Sequence, residues 1–172
     1  MSQARTTIID LSRLSLAHGE GKRIEVPVEL DRFELAGQTY LAPRSTVRLE
    51  ISRPSGGFAF RLGSPVEVKG PCMRCLEPAI LELDVESREV HQQNADDPEL
   101  ESPYVDEDEL DIGRWAHDAT LLALPTRILC RPDCAGLCPV CGVSLNDADP
   151  ADHVHDSGKD PRWAALDNLK LE

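Results

Sequence analysis

The sequence predicts an α+β protein: an N-terminal antiparallel β-rich domain, then a central helix and a small C-terminal zinc-knuckle segment. Three observations lead there. Apolar and polar residues alternate in Ile24, Val26, Val28, Leu30 and again in Val47, Leu49, Ile51, the period-2 pattern of half-buried strands. Helical spacing replaces that pattern at Ile112, Trp115, Ala116, Ala119, Leu122 and Ala123. Beyond the helix, paired cysteines crowd Cys130 to Cys141.

Pro27 lacks an N–H for a ladder, which marks the first long strand as an edge strand. The turn formers Arg53-Pro54-Ser55-Gly56-Gly57 separate Val47–Ile51 from Phe58, Phe60 and Leu62, giving a hairpin. A second pair joins Val66 and Val68 to Leu81, Leu83 and Val85 through Gly70-Pro71-Cys72-Met73-Arg74-Cys75-Leu76-Glu77-Pro78, so Cys72 and Cys75 sit at a hairpin tip. The helix spans 111–124, with acids at its start that complement the dipole, and Pro125 stops it. A short last helix is expected from Asp160 as cap, Pro161 at its first position, and Trp163, Leu166 and Leu169 as its stripe. His117 has a structural role on the central helix, and His18 and His91 lack partners for metal ligation.

With 172 residues, 41% hydrophobic and 28% charged, the chain can bury one ordinary core and carry one small appendage. The expected division is 1–128, including the helix, and 129–172. No stretch is apolar enough for a signal peptide or a membrane span, so a cytoplasmic protein is expected. In that reducing compartment the six cysteines are explained by metal rather than by disulfides.

The net charge of −13 lies almost wholly after Pro78. Its densest part runs from Asp96 to Asp111, with nine acids and no base, and reads as a solvated loop or a docking tail for a basic partner. Such a chain is repelled by bare phosphate, which disfavours wrapping of RNA and gives no reason to expect DNA binding. Attraction to a basic protein partner is easier to understand. Arg44, Arg48, Arg53, Arg61 and Arg74 supply basic residues to the β half.

Cys138-Pro139-Val140-Cys141-Gly142 has the spacing and trailing glycine of a zinc knuckle. Cys72-x-x-Cys75 and Cys130-x-x-x-Cys134 add two more pairs, and His153-Val154-His155 places two imidazoles on one side of an extended segment. Eight donors fill two tetrahedral sites, one or two zinc ions in all. The preferred grouping is Cys138, Cys141, His153 and His155 in one site and Cys72, Cys75, Cys130 and Cys134 in the other. Alternatives are one site from Cys130, Cys134, Cys138 and Cys141, or one joining the Cys72 pair to the Cys138 pair. Four protein donors leave no position for water, so such a metal folds the chain rather than catalyses.

These residues resemble the YceD family of bacterial ribosomal-RNA accumulation proteins. The resemblance rests on Gly70-Pro71-Cys72-x-Arg74-Cys75, on Asp111-Ile112 leading to Leu124-Pro125, and on Cys130 followed by Cys134-x-Gly136-Leu137-Cys138-Pro139-x-Cys141-Gly142. Leu145-Asn146 and Asp160-Pro161-Arg162-Trp163-Ala164-Ala165-Leu166 complete it. Many relatives carry a further Cys-x-Cys where this chain has His153-Val154-His155, and others lack the C-terminal cluster. The resemblance implies a non-enzymatic factor in synthesis, processing or stability of 23S ribosomal RNA, acting with a large-subunit precursor or ribosomal protein. An RNA contact through Arg74 is a further expectation, the alternative being that Arg74 holds the knuckle. The rival readings are a zinc hydrolase, disfavoured because no nucleophile or open ligand position stands out, a redox sensor, and a zinc-dependent interaction module on another complex.

Overall fold

A four-stranded antiparallel sheet organises the computed structural model, which describes residues 7–93, 95–149, 153 and 155. Its strands are β2 (Gly21–Val28), β5 (Ser45–Ser52), β6 (Phe58–Pro71) and β7 (Pro78–His91), in the spatial order β2-β5-β6-β7. β2 is an edge strand, as Pro27 requires. β1 (Ile8–Asp10), β8 (Val105–Asp106) and β9 (Glu109–Asp111) form a small sheet, and β3 (Phe33–Leu35) and β4 (Gln38–Tyr40) form a hairpin. Ala36 and Gly37, both at positive φ, make the tight turn that matches strand twist in a two-residue hairpin loop. One helix, α1 (Ile112–Ala123), packs on the inner sheet face. The architecture is therefore mostly antiparallel β with a single α-helix among the described residues.

The alternation in the sequence does define the buried face: Val26, Val47, Leu49, Ile51, Phe60, Leu62, Val66, Val68 and Val85 all point inward. β6 differs from expectation, because Phe58–Leu62 and Val66–Val68 belong to one strand rather than two. Pro65 does not break it. Its carbonyl accepts from Ser45 Oγ at 2.6 Å, on the β5 side, so its nitrogen also faces that side, beyond the last β5 pairing at Gly63. No ladder bond is lost there.

Trp115 on α1 is fully buried, donates from Nε1 to Ser87 Oγ at 3.0 Å, and packs between the rings of Phe60 and Tyr104. Asp111 caps the helix by accepting from the Arg114 amide at 2.9 Å, while its first turn holds no acid. Leu124 takes the extended conformation imposed before Pro125. The expected stripe drifts at its end: Leu122 is 87% exposed and Thr120 is buried in its stead. The Thr120 hydroxyl donates to the Ala116 carbonyl at 2.7 Å, so its burial leaves no orphan polar atom.

The acidic run is not wholly loop. β8 and β9 lie within it and pair with each other, and β9 pairs with β1, because Leu110 is fully buried while Glu109 beside it faces solvent. The expected helix after Asp160 lies outside the described residues. No helix among them is long and apolar enough to cross a membrane.

At the far end of β6, the buried Tyr40 ring lies on Gly70 and its hydroxyl donates to the Pro71 carbonyl at 2.9 Å, holding the strand end that leads into the Cys72 turn. A Cβ at position 70 would stand 2.2 Å from Tyr40 Cδ1. Gly70→Ala is expected to destabilise the chain by about 1–3 kcal/mol through forced displacement of that ring, read as a lower urea midpoint with unchanged slope.

Candidate metal centres

β6 and β7 stay paired as far as Pro71 and Pro78, and the six residues between them form a tight turn around Cys72 and Cys75. The Leu76 amide donates to the Cys72 carbonyl at 3.0 Å and the Cys72 amide to the Glu77 carbonyl at 2.7 Å. The Arg74 amide points at Cys72 Sγ, 3.5 Å away. Leu76 is held at φ 65°, in the left-handed region that glycine usually fills.

Cys138–Val143 repeats this turn almost bond for bond. The Gly142 amide donates to the Cys138 carbonyl at 2.9 Å, the Cys138 amide to the Val143 carbonyl at 2.8 Å, and the Val140 amide points at Cys138 Sγ from 3.4 Å. Gly142 has φ 75°. The two Cys-x-x-Cys pairs are thus the same knuckle, recognisable from glycine in one and obscured by leucine in the other. A left-handed leucine costs roughly 1–2 kcal/mol, so the surrounding bonds must hold the first knuckle in shape.

Each knuckle faces a second pair of donors. Beyond α1 the chain returns to the hairpin tip, where the Met73 amide donates to the Ile128 carbonyl at 2.9 Å and Ile128 is fully buried. That docking sets Cys134 Sγ 3.7 Å from Cys72 Sγ and Cys130 Sγ 3.5 Å from Cys75 Sγ. In the other group, His153 Nε2 lies 3.6 Å from Cys141 Sγ and 3.2 Å from His155 Nε2. The donor atoms of Cys72, Cys75, Cys130 and Cys134 all lie within 4.8 Å of one another, as do those of Cys138, Cys141, His153 and His155. The structure thus brings together the two preferred sets, and no four-donor cluster among the described residues mixes them.

The spacings discriminate between chemistries. A disulfide needs about 2.05 Å between sulfurs, and all six cysteines are free thiols. With zinc about 2.3 Å from sulfur and about 2.0–2.1 Å from imidazole nitrogen, a tetrahedron has edges of about 3.8 Å for S···S, about 3.5 Å for S···N and about 3.3 Å for N···N. The four distances between these side chains, 3.7, 3.5, 3.6 and 3.2 Å, lie close to those edges. Both groups can therefore hold a metal ion.

Burial differs between the two. Cys72, Cys75 and Cys134 are buried and Cys130 is half-buried, whereas in the second group only Cys138 is buried and Cys141 is exposed. Burial opposes ionisation of Cys72, yet the amides of Arg74, Cys75 and Cys130 outweigh it and bring the thiol down to about 6. Burial and the neighbouring thiols push Cys130 up to about 12. The Cys141 amide, His153 and the Val140 amide bring Cys138 down to about 6. Cys72 and Cys138 thus form thiolates readily, whereas Cys130 ionises only with a cation beside it.

A bridge of ordinary hydrogen bonds joins the groups. The Leu137 amide donates to the Arg74 carbonyl at 3.1 Å, and the Arg74 guanidinium donates to the Ala135 carbonyl at 3.3 Å. Arg74, singled out as an RNA contact, thus spends its side chain against the backbone between the two centres. Asn146 accepts from the Ala135 amide at 2.8 Å and directs its own amide toward Cys134 Sγ at 3.6 Å, while the Leu145 amide donates to the Gly136 carbonyl. No ligand-like spacing in the sequence reveals the part Asn146 plays. Its signal was its place in the Leu145-Asn146 pair that the resemblance included.

The profile of the family described as "Large ribosomal RNA subunit accumulation protein YceD" matches residues 64–170. Uncharacterised proteins of Mycobacterium tuberculosis and Mycobacterium bovis are 39% identical over 102 residues, covering 56% of this chain and 48% of theirs. An uncharacterised protein of Mycobacterium leprae is 42% identical over 60 residues, covering 35% of this chain and 26% of its own. The chain thus spans about half or less of the length of these relatives. No solved structure matches. The matched segment contains both knuckles, the helix and the residues that bridge the centres, and the chain belongs to the YceD family of large ribosomal RNA subunit accumulation proteins.

Proposed function

We propose that the chain is a non-enzymatic, cytoplasmic factor that supports synthesis, processing or stability of 23S ribosomal RNA and assembly of the large subunit, and that it carries two structural zinc ions. Cys72, Cys75, Cys130 and Cys134 hold one ion. Cys138, Cys141, His153 and His155 hold the other. The observation that carries the metal reading is the tetrahedral spacing of two sets of four soft donors, and the family match carries the link to ribosomal RNA. Zinc suits thiolate and imidazole donors, and four of them close its coordination shell against water.

In this reading residues 1–128 form the main domain, and 129–172 form a segment that metal makes foldable. Zinc binding to such segments contributes on the order of 10–16 kcal/mol to folding. That far exceeds what the few buried side chains among the described residues after Leu129 can supply. The exposed acids of β8, β9 and the preceding loop offer a face for a basic ribosomal protein or large-subunit precursor.

Two measurements test the proposal. Elemental analysis of the reduced, purified chain is expected to find two zinc ions, and one in each of the variants Cys72→Ser/Cys75→Ser and Cys138→Ser/Cys141→Ser. Absence of zinc from the parent would remove the metal reading. Depleting the protein in its host should lower 23S relative to 16S ribosomal RNA, with recovery on expression of the parent but not of Cys72→Ser/Cys75→Ser. An unchanged ratio on depletion would contradict the proposed role in RNA accumulation.

A further inference from the structure

The outer face of the four-stranded sheet, opposite α1, carries a row of small residues beside a row of arginines. The strand registers set Gly21, Ser52 and Ala59 side by side. Two residues along each strand, on the same face, stand Arg23, Glu50, Arg61 and Arg88. The next row brings Arg48 opposite Gly63, where a Cβ would stand 3.3 Å from Arg48 Nη2, so the guanidinium lies across bare backbone. A concavity of about 630 Å³ opens over the small residues, walled by Arg23, Arg61 and Arg88. A smaller one of about 170 Å³ shares Arg23 and Arg61 and reaches Arg48.

Charge in this trough runs against the rest of the molecule. Its side chains include four arginines, Arg23, Arg48, Arg61 and Arg88, against two lining acids, Glu50 and Glu86, with Glu25 opposite Arg48 at the margin, in a chain with 31 acids and 18 bases. Arg61 stands directly opposite Arg88, an arrangement that destabilises a sheet unless something neutralises it. Glu86, 3.2 Å from Arg61, and Glu50, 2.5 Å from Arg23, supply part of that neutralisation. Arg88 and Arg48 have no carboxylate partner among the described residues. By contrast Arg44 is paired with Glu29, and Arg53 is engaged by the Leu16 carbonyl and the Phe58 ring.

We infer that this trough binds a short single-stranded segment of RNA. Guanidinium groups grip phosphate in a bidentate manner and stack on bases. Arg48 and Arg61 are diagonal neighbours across the β5–β6 pair, about 7–8 Å apart at the backbone, a separation on the scale of consecutive phosphates. The floor of Gly21, Ser52 and Ala59 leaves room for a planar base, which an acidic peptide side chain would not fill. A contact confined to this face also accommodates the overall negative charge, which opposes engagement of a long duplex. The inference rests on the proposed role in RNA accumulation and adds to it a direct contact and its location.

The test is fluorescence anisotropy of a labelled short single-stranded RNA titrated with the zinc-loaded full chain over a range of salt. Arg61→Ala/Arg88→Ala is expected to weaken binding on the order of tenfold and to reduce the slope of log affinity against log salt by about 1.4, the share of two phosphate contacts on a single strand. Arg13→Ala/Arg44→Ala removes the same charge elsewhere and should leave both quantities near the parent's. Circular dichroism and zinc content unchanged in both variants exclude misfolding. Absence of binding by the parent, or equal loss in the two variants, would overturn the inference. Polyglutamate competing as well as unlabelled RNA would also overturn it, reassigning the trough to an acidic peptide. If depletion still lowers 23S ribosomal RNA after such a failure, the accumulation role stands and only the direct contact falls.

Discussion

Four thiols from segments 55 to 62 residues apart in sequence meet within a few ångströms at the tip of the β6–β7 hairpin. This contact joins the described residues after Ile128 to the sheet. On one side it is anchored by a long, well-paired hairpin whose end is fastened through Tyr40, Gly70 and Pro71. On the other side it receives a segment with little apolar surface of its own. Past Ile128 the described residues form almost no regular structure, and their order derives from knuckle turns, a few backbone bonds and the donor groups. Without the proposed metal, the joint between the sheet and the C-terminal segment would hold four largely buried thiol groups with no cation to pair with their thiolates.

The second group lies outside the first and is tied to it by hydrogen bonds. Cys138 lies just beyond Leu137, whose amide bonds Arg74 inside the first knuckle, and Asn146 ties the loop after the second knuckle back to Cys134. The order of burial agrees: the first group is buried apart from the half-buried Cys130, whereas the second leaves Cys141 and His155 exposed.

Much of the sheet was legible because alternation is a strong signal when one face is buried: the inward set from Val26 to Val85 came from it, while the edge position of β2 came from Pro27. The donor pairs were legible from their spacing. The features that escaped are those that depend on tertiary context. β6 reads as two strands in sequence because Gly63-Ser64-Pro65 resembles a break, and only the point where β5 pairing stops makes the proline harmless. β8 and β9 were hidden in an acidic run, since three short strands held by Leu110 leave too brief a pattern to detect. Leu76 conceals a knuckle turn because the expected glycine is absent, and Thr120 conceals a buried helical position behind a hydroxyl that bonds its own helix.

Hydrogen exchange with and without metal addresses the central claim most directly. If the thiol quartet is the joint, stripping zinc with a chelator under reducing conditions will speed exchange at the amides of Met73, Leu76, Leu137 and Cys138, all of which bond across or within the knuckles, while those of Leu49 and Leu62 in the sheet centre stay slow. Equal protection at the first four amides before and after metal removal would contradict the account, because the C-terminal segment would then hold its place without the ion.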